Sequence, residues 1–238
     1  MGSSFDAVNG ACGDWTPSDV LASAKLVGVT GERGAERPGS WEYYDRRAVE
    51  GTRTIGHALA YWKELGVQAT ASDIEAEAAE VRRLIRSMQP STIVEVGAGP
   101  GTFTADLPGS GVALDQSDAA LRVLHSGSAR SPVVRGDALR LPIRDRAVAR
   151  VFAAHIYGLL TEEERRPFVS EARRIAEELV VVDAGRPPGV PAEHWQHRTL
   201  GGGEIFRVFR RHFDAAALAA EIGGRPLFSG RFYVMVTA

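Results

Sequence analysis

The strongest constraint on the fold is one short run, Thr92-Ile93-Val94-Glu95-Val96-Gly97-Ala98-Gly99-Pro100-Gly101-Thr102, in which an apolar strand passes directly into a glycine turn. Glycine tolerates positive φ and lets a ligand approach the backbone with no Cβ in the way. The amides at the start of the following helix then face that ligand and favour its anionic end. The dinucleotide fingerprint G-x-G-x-x-G would need glycine at position 102, where the chain has Thr102. The pattern is instead E-x-G-x-G-x-G, with Glu95 near the end of the strand. A carboxylate there can face a cationic amine, whereas it would repel a pyrophosphate.

The rest of the chain supplies a matching rhythm. Short apolar strands at Thr92–Val96, Val112–Leu114, Val133–Val134, Val148–Ala153 and Leu179–Val182 alternate with helical or loop segments. Such alternation predicts βαβ units and a parallel sheet buried on both faces. Ser72 with Glu75 reads as a capping box opening a helix whose Ile74, Ala78, Val81, Leu84 and Ile85 share a face, and Pro90 stops the run. Thr161 with Glu164 makes a second box ahead of Phe168, Ala172, Ile175 and Leu179. The segment from Gly101 to Gly111 leaves room for about two helical turns. The tail, Phe213–Ala238, predicts one helix from Asp214 to Ile222 and two strands around PLFSG and RFYVMVTA.

Upstream, residues 1–40 lack sustained periodicity and read as a mobile lead-in, while residues 41–71 gather Trp41, Tyr43, Tyr44, Tyr61 and Trp62 into a helical aromatic cap or lid. Residues 72–238 form the main domain. With 28 basic against 30 acidic side chains, the net charge of -2 gives no overall field toward polyanions or anionic membranes. The concentrated basic run, Arg207, Arg210, Arg211 and His212, reads as a solvated strand or helix face. One cysteine, Cys12, cannot form an internal disulfide, and no Cys/His cluster has zinc-site spacing, so no metal is expected. No stretch approaches the roughly 18 apolar residues of a membrane span, and Met1–Asn9 has neither a basic region nor an apolar run. The expectation is a soluble, cytoplasmic protein with no membrane partner.

Two more acids follow strands. Asp115 ends Gly111-Val112-Ala113-Leu114, eighteen residues past Gly97, where a carboxylate can accept both ribose hydroxyls. Asp137, in Val133-Val134-Arg135-Gly136-Asp137-Ala138, closes the next strand and is suitably placed to accept an adenine amino group. A single acid after a strand is ordinarily a loop or cap residue. Three acids at successive strand ends, one of them with a triple-glycine turn, point to a site.

The elements EVGAGPGT, ALDQS and VVRGDALRLPI, in this order and spacing, strongly resemble class I S-adenosylmethionine-dependent methyltransferases, especially the small-molecule branch that includes quinone-biosynthesis enzymes. The resemblance covers roughly residues 75–185. It implies an α/β, Rossmann-like doubly wound sheet, mostly parallel and seven-stranded, behind the N-terminal cap. It implies S-adenosyl-L-methionine as cofactor, with Glu95, Gly97, Gly99, Gly101 and Thr102 around the methionine moiety, Asp115 and Gln116 on the ribose, and Asp137 and Ala138 on the adenine. Tyr44 and Asp45 stand roughly where several relatives contribute a cap residue. His155 follows the fourth strand, close in the family to the reactive methyl, as a backbone contact or a base. A substrate-facing insertion is implied at about 186–212.

Methyl transfer from a sulfonium is an in-line displacement, so holding acceptor, methyl and sulfur collinear and dry is the main task. The fold therefore predicts the reaction but not the substrate. Candidate catalytic residues are His155, Tyr157 and His194, the last standing at i and i+3 with His197 and able to share a helix face with it. The expected acceptor is an oxygen or nitrogen atom of a small molecule such as a secondary metabolite. RNA-directed methylation and a non-catalytic cofactor-binding module are the alternatives; the D/N-P-P-Y-type loop of amino-directed base methylation is replaced by Ala153-Ala154-His155-Ile156.

Overall fold

A computed structural model describes residues 40–50, 55–127 and 131–238. The lead-in lies outside them, except that Ser40 begins the first helix. The elements run α1 (Ser40–Glu50), α2 (Ile55–Glu64), α3 (Ala71–Arg86), β1 (Ser91–Val96), β2 (Gly109–Asp115), α4 (Asp118–Ser126), β3 (Val133–Arg135), β4 (Val148–Ala154), α5 (Glu162–Ile175) and β5 (Ala176–Ala184). Then follow β6 (Glu193–Thr199), β7 (Ile205–Arg211), α6 (Ala215–Ile222), β8 (Arg225–Ser229) and β9 (Tyr233–Thr237). Seven strands form one sheet in the order β3-β2-β1-β4-β5-β9-β8. The first five are parallel, and β9 runs antiparallel between β5 and β8.

Consecutive residues of the central strands feed opposite layers, which is why these strands are apolar throughout rather than alternating. Val94, Val96, Val151, Ala153 and Val181 join Phe168, Ala172 and Ile175 of α5 and Leu218 and Ile222 of α6 in one core. Their neighbours Ile93, Phe152, Val180 and Val182 pack on the other face with Val81 and Ile85 of α3. The chain leaves β1 toward β2 and β3, then returns to lay β4 on the opposite side of β1. That reversal opens a crevice beyond the C-terminal ends of β1 and β4, where open α/β sheets take their ligands.

Several local expectations shift. The box that opens α3 is Thr70 with Asp73, not Ser72 with Glu75: Thr70 Oγ1 accepts from the Asp73 amide at 3.2 Å and Asp73 Oδ2 accepts from the Thr70 amide at 2.9 Å. Asp at the third position reaches back as Glu does, so the helix starts earlier. The box at Thr161 and Glu164 forms as expected. The two turns expected after the glycines shrink to a 3₁₀ turn, Thr104–Asp106, because Gly109 already begins β2. The segment around His194 is strand β6, paired antiparallel with β7 in a separate two-stranded sheet. At a period of two, His194 and His197 therefore point to opposite faces.

Phe168 is fully buried where α5 meets the sheet. Phe168→Ala should lower stability by about 3–5 kcal/mol, read as a fall in the urea midpoint with an unchanged slope.

Candidate functional site

The glycine turn is built by hydrogen bonds to the strand beside it. The amides of Gly97 and Ala98 both donate to Leu114 O, at 2.8 and 3.1 Å, and the Gly99 amide donates to Asp115 Oδ2 at 2.8 Å. Gly97, Gly99 and Gly101 all have positive φ. At Gly97 a Cβ would stand 2.7 Å from Ile156 Cδ1, so only glycine lets the turn close on the segment after β4. At Gly99 a Cβ would meet nothing within 4 Å, so its backbone faces open space.

That space belongs to a cavity of about 400 Å³ over the strand ends. It is lined by Glu95, Gly97, Gly99, Thr102, Asp115, Gln116, Asp137, Ala138, His155 and Tyr44, so strands β1 to β4 and helix α1 bring these expected residues together. Gly101 sits behind the wall, where a Cβ would press on Leu124 Cγ at 3.3 Å. Glu95 is buried and accepts from Thr104 Oγ1 at 2.6 Å. Burial pushes its carboxyl up to about 8, against the Thr104 hydrogen bond and with help from Asp115 and Asp106. Burial also raises Asp115, against the amides of Ser117 and Gly99. Asp137 keeps the loop role ordinary for an acid after a strand, accepting from the Leu139 amide at 2.9 Å, while it lines the cavity.

Helix α1 is fastened over the site by Asp45, whose Oδ1 accepts from Ser117 Oγ at 2.7 Å at the start of α4. Tyr61 and Trp62 of α2 close the cavity from above with Phe232 and Tyr233. The far wall is polar. Asp183, fully buried at the end of β5, accepts from the Gly158 amide and from Arg210 Nη2, each at 2.8 Å. Burial alone would raise Asp183; Arg210, His155 and the Gly158 amide outweigh it and hold the carboxyl down at about 2. His155 adopts φ 58° with its amide donating to Val182 O at 2.8 Å, and its Nδ1 lies 3.8 Å from Asp183 Oδ1. Tyr61 Oη and His212 Nε2 are 2.5 Å apart, and His212 Nδ1 lies 3.2 Å from Pro191 O. Burial and Arg210 hold His212 down at about 4, so its ring is neutral, with Nδ1 the donor and Nε2 the acceptor.

Two candidates are not brought to the cavity. Tyr157 is a core residue between Phe168 and Phe213 whose hydroxyl donates to Glu221 at 2.8 Å. His194 stacks on His212 at 5.3 Å, outside the lining, and His197 is exposed. The basic run is not a solvated face: Arg210 and His212 are buried and Arg207 is exposed. Arg210 and Asp183 are the residues that reading the sequence missed, whereas Tyr61 belongs to the aromatic cap it expected. The dense RVFRRHF run was the available signal, and strand alternation within it would have sent Arg210 inward. Among the described residues no group of three His, Cys, Asp or Glu has metal-binding geometry, and no helix is long and apolar enough to cross a membrane.

Residues 94–178 match the family model for the methyltransferase domain. No curated protein matches the sequence. Among solved structures, the DhpI–SAM–HEP complex is 19% identical at a TM-score of 0.62, over 83% of this chain and 94% of that one. The glycopeptide N-methyltransferase MtfA complexed with sinefungin is 18% identical at 0.51, over 68% and 91%. The PH0226 protein from Pyrococcus horikoshii OT3 is 14% identical at 0.53, over 79% and 98%. These likenesses establish the fold.

The Glu95 carboxyl ionises near 4.5 in an unfolded chain and near 8 in the folded protein. Its contribution to stability is therefore complete below about pH 4.5 and is lost as pH rises through about 8. Without ligand, the melting temperature of the wild type should fall relative to that of Glu95→Gln across that window; parallel curves would contradict the burial argument.

Proposed function

We propose that this chain is a class I S-adenosylmethionine-dependent methyltransferase that methylates an oxygen or nitrogen atom of a small molecule. The observation that carries the reading is the convergence of Glu95, Asp115 and Asp137, from the ends of consecutive strands, on one cavity beside an open glycine backbone. The donor set fits the cofactor. Glu95 takes the methionine amine, Asp115 and Gln116 the ribose hydroxyls, and Asp137 with Ala138 the adenine edge, while the Gly97 and Gly99 backbone leaves the room they need. Tyr44 caps the site from α1. When bound, the cofactor supplies an electrophilic methyl group on a sulfonium.

The remaining work falls to the chain. Trp62, Phe103, Phe232 and Tyr233 exclude water, and orientation of this kind contributes roughly 7–11 kcal/mol to such reactions. His155 is the base for an acceptor whose proton must leave, and buried Asp183 stabilises the imidazolium that forms. A small-molecule acceptor is supported by the enclosing cap of α1 and α2 and by the near balance of charge over the whole chain.

Calorimetry with S-adenosylmethionine and NADH in parallel tests the cofactor: tight binding of the first alone is expected, and binding of NADH alone would overturn the reading. Asp115→Asn should weaken cofactor binding about tenfold or more, the loss of charge-assisted hydrogen bonds. At pH 7 the binding should release close to one proton, from Glu95, seen as a buffer-dependent heat that Glu95→Gln removes. In a labelled-methyl assay, His155→Gln should lower kcat about 10²–10⁴-fold at unchanged cofactor affinity.

A further inference from the structure

We infer that Arg210 receives an oxyanion of the methyl acceptor, a carboxylate or phosphate head carried on an otherwise apolar molecule. The inference rests on the small-molecule methyltransferase reading and adds the acceptor's chemistry to it. Arg210 is 6% exposed, yet it lines the cavity on the wall across from the acids. Its guanidinium has five N–H donors. One meets Asp183 Oδ1 at 2.8 Å, one lies 3.5 Å from His155 O, and one meets the Tyr61 hydroxyl. Donors therefore remain for a ligand, and Asp183 divides its own acceptance among Arg210 and the amides of Gly158 and Ala184.

The surroundings of Arg210 are cationic beyond that pair. Arg198 lies 4.7 Å over the Tyr61 ring, and its nearest carboxylate, on exposed Glu64, is 3.8 Å away. The stacked rings of His194 and His212 resist protonation, through burial first and then the charges of Arg198 and Arg210. Arg198 thus adds a second cation beside Arg210, and its own carboxylate partner is solvent-exposed rather than buried. The same cavity is lined by the apolar side chains of Trp62, Ile74, Phe103 and Phe232. An acceptor suited to this arrangement has an apolar body and an oxyanion that takes the spare guanidinium donors, the geometry that arginine favours. A cationic head is repelled from Arg210.

The test uses the protein saturated with S-adenosylhomocysteine, titrated calorimetrically with benzoate, phenyl phosphate and their neutral counterpart benzamide. Benzoate or phenyl phosphate should bind about tenfold or more tightly than benzamide, the scale of a charge-assisted hydrogen bond. Whichever of the two binds more tightly identifies the head group. Arg210→Gln should erase the preference while S-adenosylhomocysteine affinity stays within about threefold, since Arg210 lies away from the acids. If that variant fails to fold because Asp183 is left unpaired, Arg210→Gln combined with Asp183→Asn removes both charges and should erase the preference as well. Equal or absent binding of the oxyanions by the wild type, or a preference that survives loss of Arg210, overturns the inference. Failure of the wild type to bind S-adenosylhomocysteine would instead remove the reading beneath it.

Discussion

The geometry of the cavity depends on one buried carboxylate. Asp183 ends β5, accepts the Gly158 amide from the turn after β4, and holds Arg210 of β7. The β6–β7 hairpin is a sheet of its own, tied to the main sheet by the bridge of Gly185 with Phe213 just past β7 and by side-chain contacts of this kind. Breaking a buried ion pair by removing one partner ordinarily costs about 3–5 kcal/mol, because the other charge is left without compensation. The pair therefore fixes where the hairpin sits and with it the far wall of the cavity. It also sets the environment of His155, whose strained backbone is held by the Val182 carbonyl next to the same aspartate.

The acid side of the site was legible because each piece is local. A strand, its glycine turn and the acid at its end are contiguous in sequence, and a parallel sheet lines such ends up automatically. Hence Glu95, Asp115 and Asp137 line one cavity. The pairing on the opposite wall was not legible, because Asp183 and Arg210 come from separate elements brought together by tertiary packing. Tyr157 shows the same limit from the other direction: two residues from His155, it turns into the core on a 3₁₀ turn and never reaches the cavity.

The hairpin carries a further lesson about period. Glu193–Thr199 is polar at every position but Trp195, so its own composition shows no apolar period that separates helix from strand. Its partner decides: β7 offers Val208 and Phe209 to the interior, and Trp195 lies edge-on to Phe209 at 5.5 Å across the pair. The helix boundary at Thr70 has a similar cause, since Thr70–Asp73 and Ser72–Glu75 share the same spacing and only the first lies where the chain turns into α3.

The division of charge across the cavity follows from these two origins. Burial, with the charges of Asp115 and Asp106, makes Glu95 hold a proton that it would release in water, and burial raises Asp115 as well, so negative charge is disfavoured on that side. A ligand bearing positive charge relieves it, and a neutral or anionic one does not. Across the cavity the sign is reversed around Arg210, whose charge adds to burial in keeping His212 neutral. A ligand pair with a cation toward Glu95 and an anion toward Arg210 satisfies both halves at once, whereas the reversed pair would be repelled from each. Orientation in the cavity is thus imposed by the field of the fold before any single contact forms.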